Sequence, residues 1–259
     1  MKKIIKLAGV TVANDNLPRV SSTDDERALA SIPDLFFWLQ PGAQFENDAG
    51  QFRERVNGRL LTPVTTDYPW THGSFSNGAP SLDAPLDRRS NYSVADGEEF
   101  AADRWTVAAV VNLSSAGTVS DELIAYPGTP STGVINVRLG FDTSRNMVLR
   151  EGQSSSLRLS LAGTDWIDQA CLVMATFSVE NGIAFYVNGV RSAEAVADKR
   201  PLTDGAFRLG VQGTTGASTN AFSGKLGHVL LLNRDLSAPA NAGYRQSLES
   251  ILMSHYGIS

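Results

Sequence analysis

Cysteine is almost absent from this 259-residue chain, and Cys171 is the only one. A single cysteine excludes an intrachain disulfide and a metal site built from several thiolates. Cys171 lies in the apolar run 170–174, which is typical of a small buried side chain. The chain also lacks any run of about 18 apolar residues, which excludes a transmembrane helix.

Basic residues are scarce as well, with 22 Lys and Arg against 27 Asp and Glu, so the net charge is −5. Nucleic-acid-binding proteins usually carry a basic surplus, and we therefore expect no nucleic-acid partner. Apolar residues make up 42% of the chain and charged residues 19%, a composition that indicates a globular protein. The three histidines are far apart in the sequence and show no zinc-ligand spacing.

Residues 1–30 differ in composition from the rest of the chain and are predicted to form an extended arm and linker. Within them, 21–27 is typical of a polar linker or of the cap of a short helix through Leu29. Three of the five lysines fall within the first six residues. Lys6 interrupts the first apolar stretch, which disfavours a cleaved secretory signal. We expect the arm to dock on a sister subunit, on a host assembly, or as a strand on its own domain. Its β-forming or apolar assembly residues are Ile4, Ile5, Leu7, Val10 and Val12.

Beyond Asp34 the chain consists of short apolar runs separated by Gly, Pro, Asn and Ser. The run 105–113 is apolar at both parities, which predicts a central strand covered on both faces. The turn pairs Asn181-Gly182 and Asn188-Gly189 favour tight hairpins and predict a three-stranded meander. About nine or ten strands of this kind are typical of an all-β sandwich or jelly roll. Further strands are predicted at 35–39, 134–139, 147–150, 157–161, 172–179, 183–187, 207–211 and 227–232.

One helix is predicted to close the chain. Ser237 is its expected N-cap, with Pro239 in the first turn and Gly257 at the end. The apolar stripe favours packing against a sheet edge. Its members are Tyr244, Leu248, Ile251, Leu252 and His255.

Several segments together resemble a concanavalin A-like or laminin-G-like jelly roll. They are Asp34-Leu35-x-x-Trp38-Leu39, the strand 104–110, the hairpin 184–189, and the stretch 224–237 that leads into 248–258. The resemblance implies one jelly-roll domain over 31–259 behind the arm. This fold hosts lectins, glycosidases, adhesion modules and viral structural proteins, so it implies the fold more firmly than the function.

The Lys-Leu-Ala-Gly-Val-Thr sequence at 6–11 is similar to the leader of certain tailed-phage virion proteins. This resemblance implies a virion structural protein that is assembled in the host cytoplasm. The expected partners are other virion proteins and further copies of the same chain, arranged as a trimer or a larger ring or shell.

The glycosidase branch of the jelly-roll family carries its carboxylates as Glu-x-Asp-x-Glu on one strand, which places them on one face. No such run occurs here, and the acidic clusters are 24–26, 96–99 and 121–122. We therefore expect no enzyme. We also expect no cofactor apart from a weak calcium candidate, the alternating oxygen ligands Asp142, Ser144 and Asn146. A plain turn is the alternative for these residues.

The segment 65–92 is the best candidate for sugar binding. Tyr68, Trp70, His72 and Tyr92 lie there among amides and carboxylates, and aromatic residues in loops offer amphipathic ring faces. The alternative is that Trp70 and Phe75 fill one end of the sandwich as core residues.

These observations favour a non-enzymatic bacteriophage virion protein, a capsid decoration, neck, tail or fibre component. Its arm would anchor it, and its jelly roll would be available to host surface glycans. The alternative is a bacterial carbohydrate-binding or adhesion module at the cell surface or outside the cell. A glycan-cleaving enzyme is the least favoured hypothesis.

Overall fold

The computed structural model describes residues 23–64, 68–86, 92–94, 103–117, 121–125, 137–151, 156–195, 208–210 and 222–259. Two α-helices lie near the ends of this part of the chain, α1 (Asp24–Ala30) and α2 (Ala242–Tyr256). A short 3-10 helix, Pro239–Asn241, precedes α2, and another spans Ala43–Phe45. The strands are β1 (Leu35–Leu39), β2 (Phe52–Arg53), β3 (Leu60–Pro63), β4 (Thr71–Ser74), β5 (Pro80–Ala84), β6 (Tyr92–Val94), β7 (Arg104–Leu113), β8 (Asp121–Ala125), β9 (Val137–Phe141), β10 (Met147–Glu151), β11 (Ser156–Leu161), β12 (Cys171–Ser178), β13 (Gly182–Val187), β14 (Val190–Ala195), β15 (Arg208–Leu209) and β16 (Gly224–Leu232).

The strands form two eight-stranded antiparallel sheets. Sheet A has the order β14-β13-β12-β7-β16-β5-β4, and β1 pairs with the second half of β16. Sheet B has the order β11-β10-β9-β8-β15-β6-β3-β2. Neighbouring strands are often distant in sequence, as in the pairing of β7 with β16, which is the connectivity expected of a jelly roll rather than of a simple meander.

The main hydrophobic core lies between the two sheets. Sheet A contributes alternate residues of its central strands, and sheet B contributes the residues that face them. On β9 the core residues are Leu139 and Phe141, and on β10 they are Met147 and Leu149. This period of two leaves the intervening residues on the outer face of sheet B.

A second hydrophobic cluster covers the outer face of sheet A. Leu248, Leu252 and Tyr256 of α2 pack there with Ala108 and Val110 of β7. Strand β7 is therefore covered on both faces, which confirms the prediction made from its continuous apolar run. Helix α2 thus lies on the face of sheet A and not along its edge. Its apolar stripe packs against the apolar side chains that the central strands direct away from the main core.

Helix α1 joins this layer. Thr23 caps it, since its hydroxyl accepts a hydrogen bond from the Glu26 amide while the Glu26 carboxylate accepts one from the Thr23 amide. This capping box satisfies two amides that a helix start leaves without intrahelical partners. Leu29 is buried in the second cluster, so the folded unit extends back at least to α1. Of the two alternatives for this segment, a polar linker and a short helix through Leu29, the helix is confirmed.

The predicted meander is confirmed as β12, β13 and β14. Asn188 and Gly189 have φ angles of +48° and +80°, the left-handed pair that a type I′ hairpin turn requires. The Asn188 side chain also accepts a hydrogen bond from the Leu172 amide at 2.9 Å. Gly257 ends α2 in the left-handed conformation with φ of +64°, as predicted.

Two local predictions are wrong. Ser237 does not cap α2, because its hydroxyl donates to the Asp235 carboxylate at 2.5 Å and Asn241 occupies the cap position. The segment 65–92 is not a continuous loop, since β4, β5 and part of β6 form within it. Among the described residues, no helix is long and apolar enough to cross a membrane.

Candidate functional site

The four aromatic residues predicted to bind sugar divide into a buried pair and a surface pair. Trp70 is 4% exposed and Tyr92 is 1% exposed, and both belong to the core between the sheets. The Tyr92 hydroxyl accepts a hydrogen bond from the Trp70 amide at 3.3 Å, and burial raises the Tyr92 pKa. Neither ring presents a face to solvent. Trp70 is thus a core residue, as the alternative prediction held, and so is Phe75.

The surface pair consists of His72 and Tyr68. His72 Nε2 lies 2.5 Å from Glu46 Oε2, and its ring meets the Phe52 ring edge-on. Because His72 belongs to the edge strand of sheet A and Phe52 to that of sheet B, this contact closes one side of the sandwich. Tyr68 is 41% exposed. The flanking Asp67, Asp87, Arg88 and Asn91 lie outside the described residues.

The calcium candidate is a hairpin turn between β9 and β10. Asp142 Oδ1 accepts hydrogen bonds from the amides of Ser144 and Asn146, each at 2.9 Å. Asp142 Oδ2 accepts one from the Asn146 side-chain amide at 3.1 Å. Arg145 takes the left-handed conformation that tightens the turn. The carboxylate thus acts as an Asx-turn acceptor, and the described part of the chain contains no cluster of three acidic, His or Cys side chains suited to a metal.

The predicted assembly residues Ile4, Ile5, Leu7, Val10 and Val12 lie outside the described residues. Their proposed role as a docking strand therefore stays a prediction.

A polar cleft lies where β7 begins and the β12–β13 turn meets the segment after β16. It encloses about 200 Å³ and is lined by Asp103, Glu180 and Asn241 among others. Its deepest carboxylate, Asp235, accepts hydrogen bonds from Ser178 Oγ at 2.7 Å and from Asn181 Nδ2 at 2.8 Å. Those bonds fix the turn that leads into α2, which is a structural role.

The outer face of sheet B carries polar side chains in register across the strands. Cα pairing connects Thr62 to Ser93, Ser93 to Arg208, Arg208 to Ala125, Ala125 to Arg138, and Arg138 to Arg150. Thr62, Ser93, Arg208, Arg138 and Arg150 each adjoin a core residue on their own strand, so these five share the outer face. We call Arg208, Arg138 and Arg150 the arginine row.

Exposure varies along this row of positions. Arg138 is only 9% exposed, Arg150, Arg208 and Ser93 are half-buried, and Thr62 is exposed. No described helix covers this face, in contrast to the outer face of sheet A. Composition and spacing do not reveal the arginine row, because only the pairing of distant strands brings its members together.

Two antiparallel sheets, a shared core and a helix-covered outer face define a lectin-like jelly-roll sandwich. The sequence matches the model of the concanavalin A-like lectin/glucanases superfamily over residues 86–240. The chain therefore belongs to that superfamily, as the resemblance implied. A comparison with curated proteins finds no match.

Solved structures share the fold at low sequence identity. The binding domain of Paraclostridial Mosquitocidal Protein 1 superposes with a TM-score of 0.62 at 11% identity, over 88% of this chain and 56% of that one. Trypanosoma rangeli sialidase in complex with sialic acid superposes with a TM-score of 0.55 at 18% sequence identity, over 89% of this chain and 37% of that one.

A third similar structure is that of botulinum neurotoxin type C, whose cell entry depends on interaction with two ganglioside molecules. It gives a TM-score of 0.57 at 9% identity, over 83% of this chain and 52% of that one. The chain thus spans between about a third and just over half of the length of these solved chains, and the likeness shows the fold alone.

Proposed function

We propose that the chain is a non-enzymatic recognition module whose jelly roll binds glycans on the outer face of sheet B. The observation that carries this proposal is the difference between the two outer faces. Helices α1 and α2 pack on sheet A, whereas no described helix packs on the outer face of sheet B, where hydroxyl- and guanidinium-bearing residues occupy paired positions. Such groups hydrogen-bond to sugar hydroxyls and acids. Membership of a lectin and glucanase superfamily, and relatives whose structures contain sialic acid or concern gangliosides, support it.

The finer proposal places this module in the virion of a tailed phage, as a capsid decoration, neck, tail or fibre component. It rests on the lysine-bearing arm and its resemblance to phage leaders. Strand addition by such an arm gives many backbone hydrogen bonds from few residues. The alternative, a bacterial adhesion module at the cell surface, uses the same glycan-binding face without the assembly.

Binding to a glycan array is the direct test of recognition. We expect the purified full chain to bind a subset of glycans and to release no reducing sugar from them. Thr62→Trp places a large side chain at an exposed position on the outer face of sheet B and should weaken binding roughly tenfold or more by steric exclusion. Binding is measured by calorimetry with a glycan that scores on the array.

The matched control is Ser192→Trp, which adds the same side chain at an exposed position on β14, at the edge of sheet A. It should bind like the parent chain. Equal weakening by both variants would move the site away from sheet B. Hydrolysis of the bound glycan, or no binding to any glycan, would contradict the proposed function.

Deleting residues 1–20 tests the assembly role of the arm. The described members of both hydrophobic clusters lie within residues 29–258, and we expect the shortened chain to stay folded. We expect the full chain to sediment as a trimer or larger assembly and the shortened chain as a monomer. Identical sedimentation of the two would show that the arm does not assemble the protein.

A further inference from the structure

A groove of about 480 Å³ lies between α1 and the start of α2. Ile32, which is buried in the second hydrophobic cluster, forms part of its floor, and the Tyr244 side chain beside it is 40% exposed. The other lining residues are small, so the groove has room for side chains of another segment. They are Ala28, Ser31, Ala240, Gly243 and Ser247.

One end of the groove is acidic. Asp25 precedes Ala28 by three residues, so the two lie on the same side of α1. The acidic neighbours of Asp25 in the sequence already form ion pairs with Arg27 and Arg55. Asp25 itself is exposed and has no ion pair within the described part of the chain. The groove therefore suits a segment that carries both apolar and basic side chains.

The arm, residues 1–22, has this composition. Lys2, Lys3 and Lys6 lie among the apolar assembly residues, and the acidic first turn of α1 offers them the opposite charge. The assembly residues are Ile4, Ile5, Leu7, Val10 and Val12. Charge and apolar character of the arm thus both match the groove.

The length of the chain before α1 favours the groove of a neighbouring copy. Ten residues, 13–22, connect Val12 to Thr23 and can span up to about 33 Å. Ala28 lies only about 8 Å along α1 from Thr23. The connection is thus longer than docking within the same chain requires, and it is long enough to reach an adjacent copy.

We propose that the arm of one copy docks in the groove between α1 and α2 of a neighbouring copy. Its apolar side chains contact Ile32 and Tyr244, and its lysines lie toward Asp25. This rests on the assembly role in the proposed function and adds the surface that receives the arm. The contact joins two different surfaces of the chain, so its repetition forms a ring where the rotation between copies closes.

Filling the groove should prevent assembly. Gly243 lines the groove, and an added Cβ there meets nothing within 4 Å, so Gly243→Trp introduces a large ring without a clash at its base. Self-association, measured by sedimentation of the full chain, should weaken by about tenfold or more. Gln246→Trp is the matched control, because Gln246 is an exposed residue of α2 outside the groove lining. It should assemble like the parent, and thermal melting checks the fold of both.

Charge reversal tests the acidic end independently. Changing Lys2, Lys3 and Lys6 together to Glu should weaken self-association about fivefold at low ionic strength. Adding Asp25→Lys to that chain should restore part of the loss, because opposite charges then face each other again. This pair of variants decides the question if Gly243→Trp does not fold. No restoration by Asp25→Lys would contradict the proposed contact.

Mixing two variants distinguishes exchange between copies from docking within one chain. A full chain with Ile5→Asp and Leu7→Asp has a defective arm and an open groove, whereas Gly243→Trp has an intact arm and a filled groove. Neither should assemble alone. Together they should form a one-to-one complex, since each supplies what the other lacks.

The remaining outcomes separate this inference from the proposed function. Absence of a complex in the mixture would overturn docking between copies. Disassembly on deletion of residues 1–20, with no effect of Gly243→Trp, would overturn the groove as the receiving surface and leave the assembly role of the arm standing. A parent chain that sediments as a monomer would overturn both.

Discussion

Replacing Gly224 by alanine is expected to destabilise the protein by about 3 kcal/mol or more. Gly224 begins β16 with a φ angle of +141°, a backbone conformation that residues other than glycine rarely adopt. A Cβ atom there would lie 2.1 Å from the Asn112 carbonyl oxygen and 3.0 Å from the Leu113 Cα. Both neighbours are backbone of the central strand β7 and cannot move without breaking the β7–β16 pairing.

Equilibrium unfolding in urea measures this effect, and Gly243→Ala is the control. Gly243 lies in the first turn of α2, where an added Cβ meets nothing within 4 Å. Alanine also favours the helix, so the control should keep or slightly raise the free energy of unfolding. If Gly224→Ala unfolds at the same urea concentration as the parent, the close approach of β16 to β7 is not as described.

The second large effect is a loss of stability in acid that depends on His228. Burial, the neighbouring His255 and Arg55 together lower the His228 pKa to about 3. In the unfolded chain the imidazole titrates near its ordinary value of about 6.5. Between these values the unfolded state binds a proton that the folded state does not. Stability should therefore fall by a few kcal/mol as the pH drops from about 6.5 toward 3.

His228→Phe removes the titrating group and keeps an aromatic ring among Trp38, His255 and Tyr256. The free energy of unfolding is measured for both chains from pH 8 to pH 4. At pH 8 the difference reports packing alone, because the histidine is neutral in both states. Toward pH 4 the parent should lose stability relative to the variant, and parallel curves would refute the buried neutral histidine.

Glu249 acts in the opposite direction, and both chains retain it. Burial raises its pKa to about 7 against the opposing effect of Arg245, so its contribution to stability falls as the pH rises from about 4.5 through 7. The difference between the parent and His228→Phe removes this common term.

The sequence could predict those elements whose local pattern is unambiguous. Strand β7 is apolar at both parities, the Asn188-Gly189 turn demands positive φ angles, and Gly257 ends a helix in the left-handed conformation. Each of these signals lies within a few residues of the chain, so no distant partner is needed to interpret it.

The sequence could not predict β4 and β5, because both strands are short and consist largely of polar residues with a glycine or a proline. They become strands by pairing with each other and with β16. The burial of Trp70 and Tyr92 depends in the same way on the closing of the two sheet edges. The arginine row depends on the register of strands far apart in sequence, which composition and spacing do not contain.

The layered arrangement of the molecule has a consequence for how it is held. Thr23 and α1 belong to the layer outside sheet A, on the far side of the sandwich from the arginine row. A scaffold that binds the chain near Thr23 therefore contacts the helical side, and the outer face of sheet B remains directed into solution. Tethering at the helical side and the proposed glycan binding on sheet B would therefore use different surfaces, and many copies fixed side by side on one support would all keep the outer face of sheet B accessible.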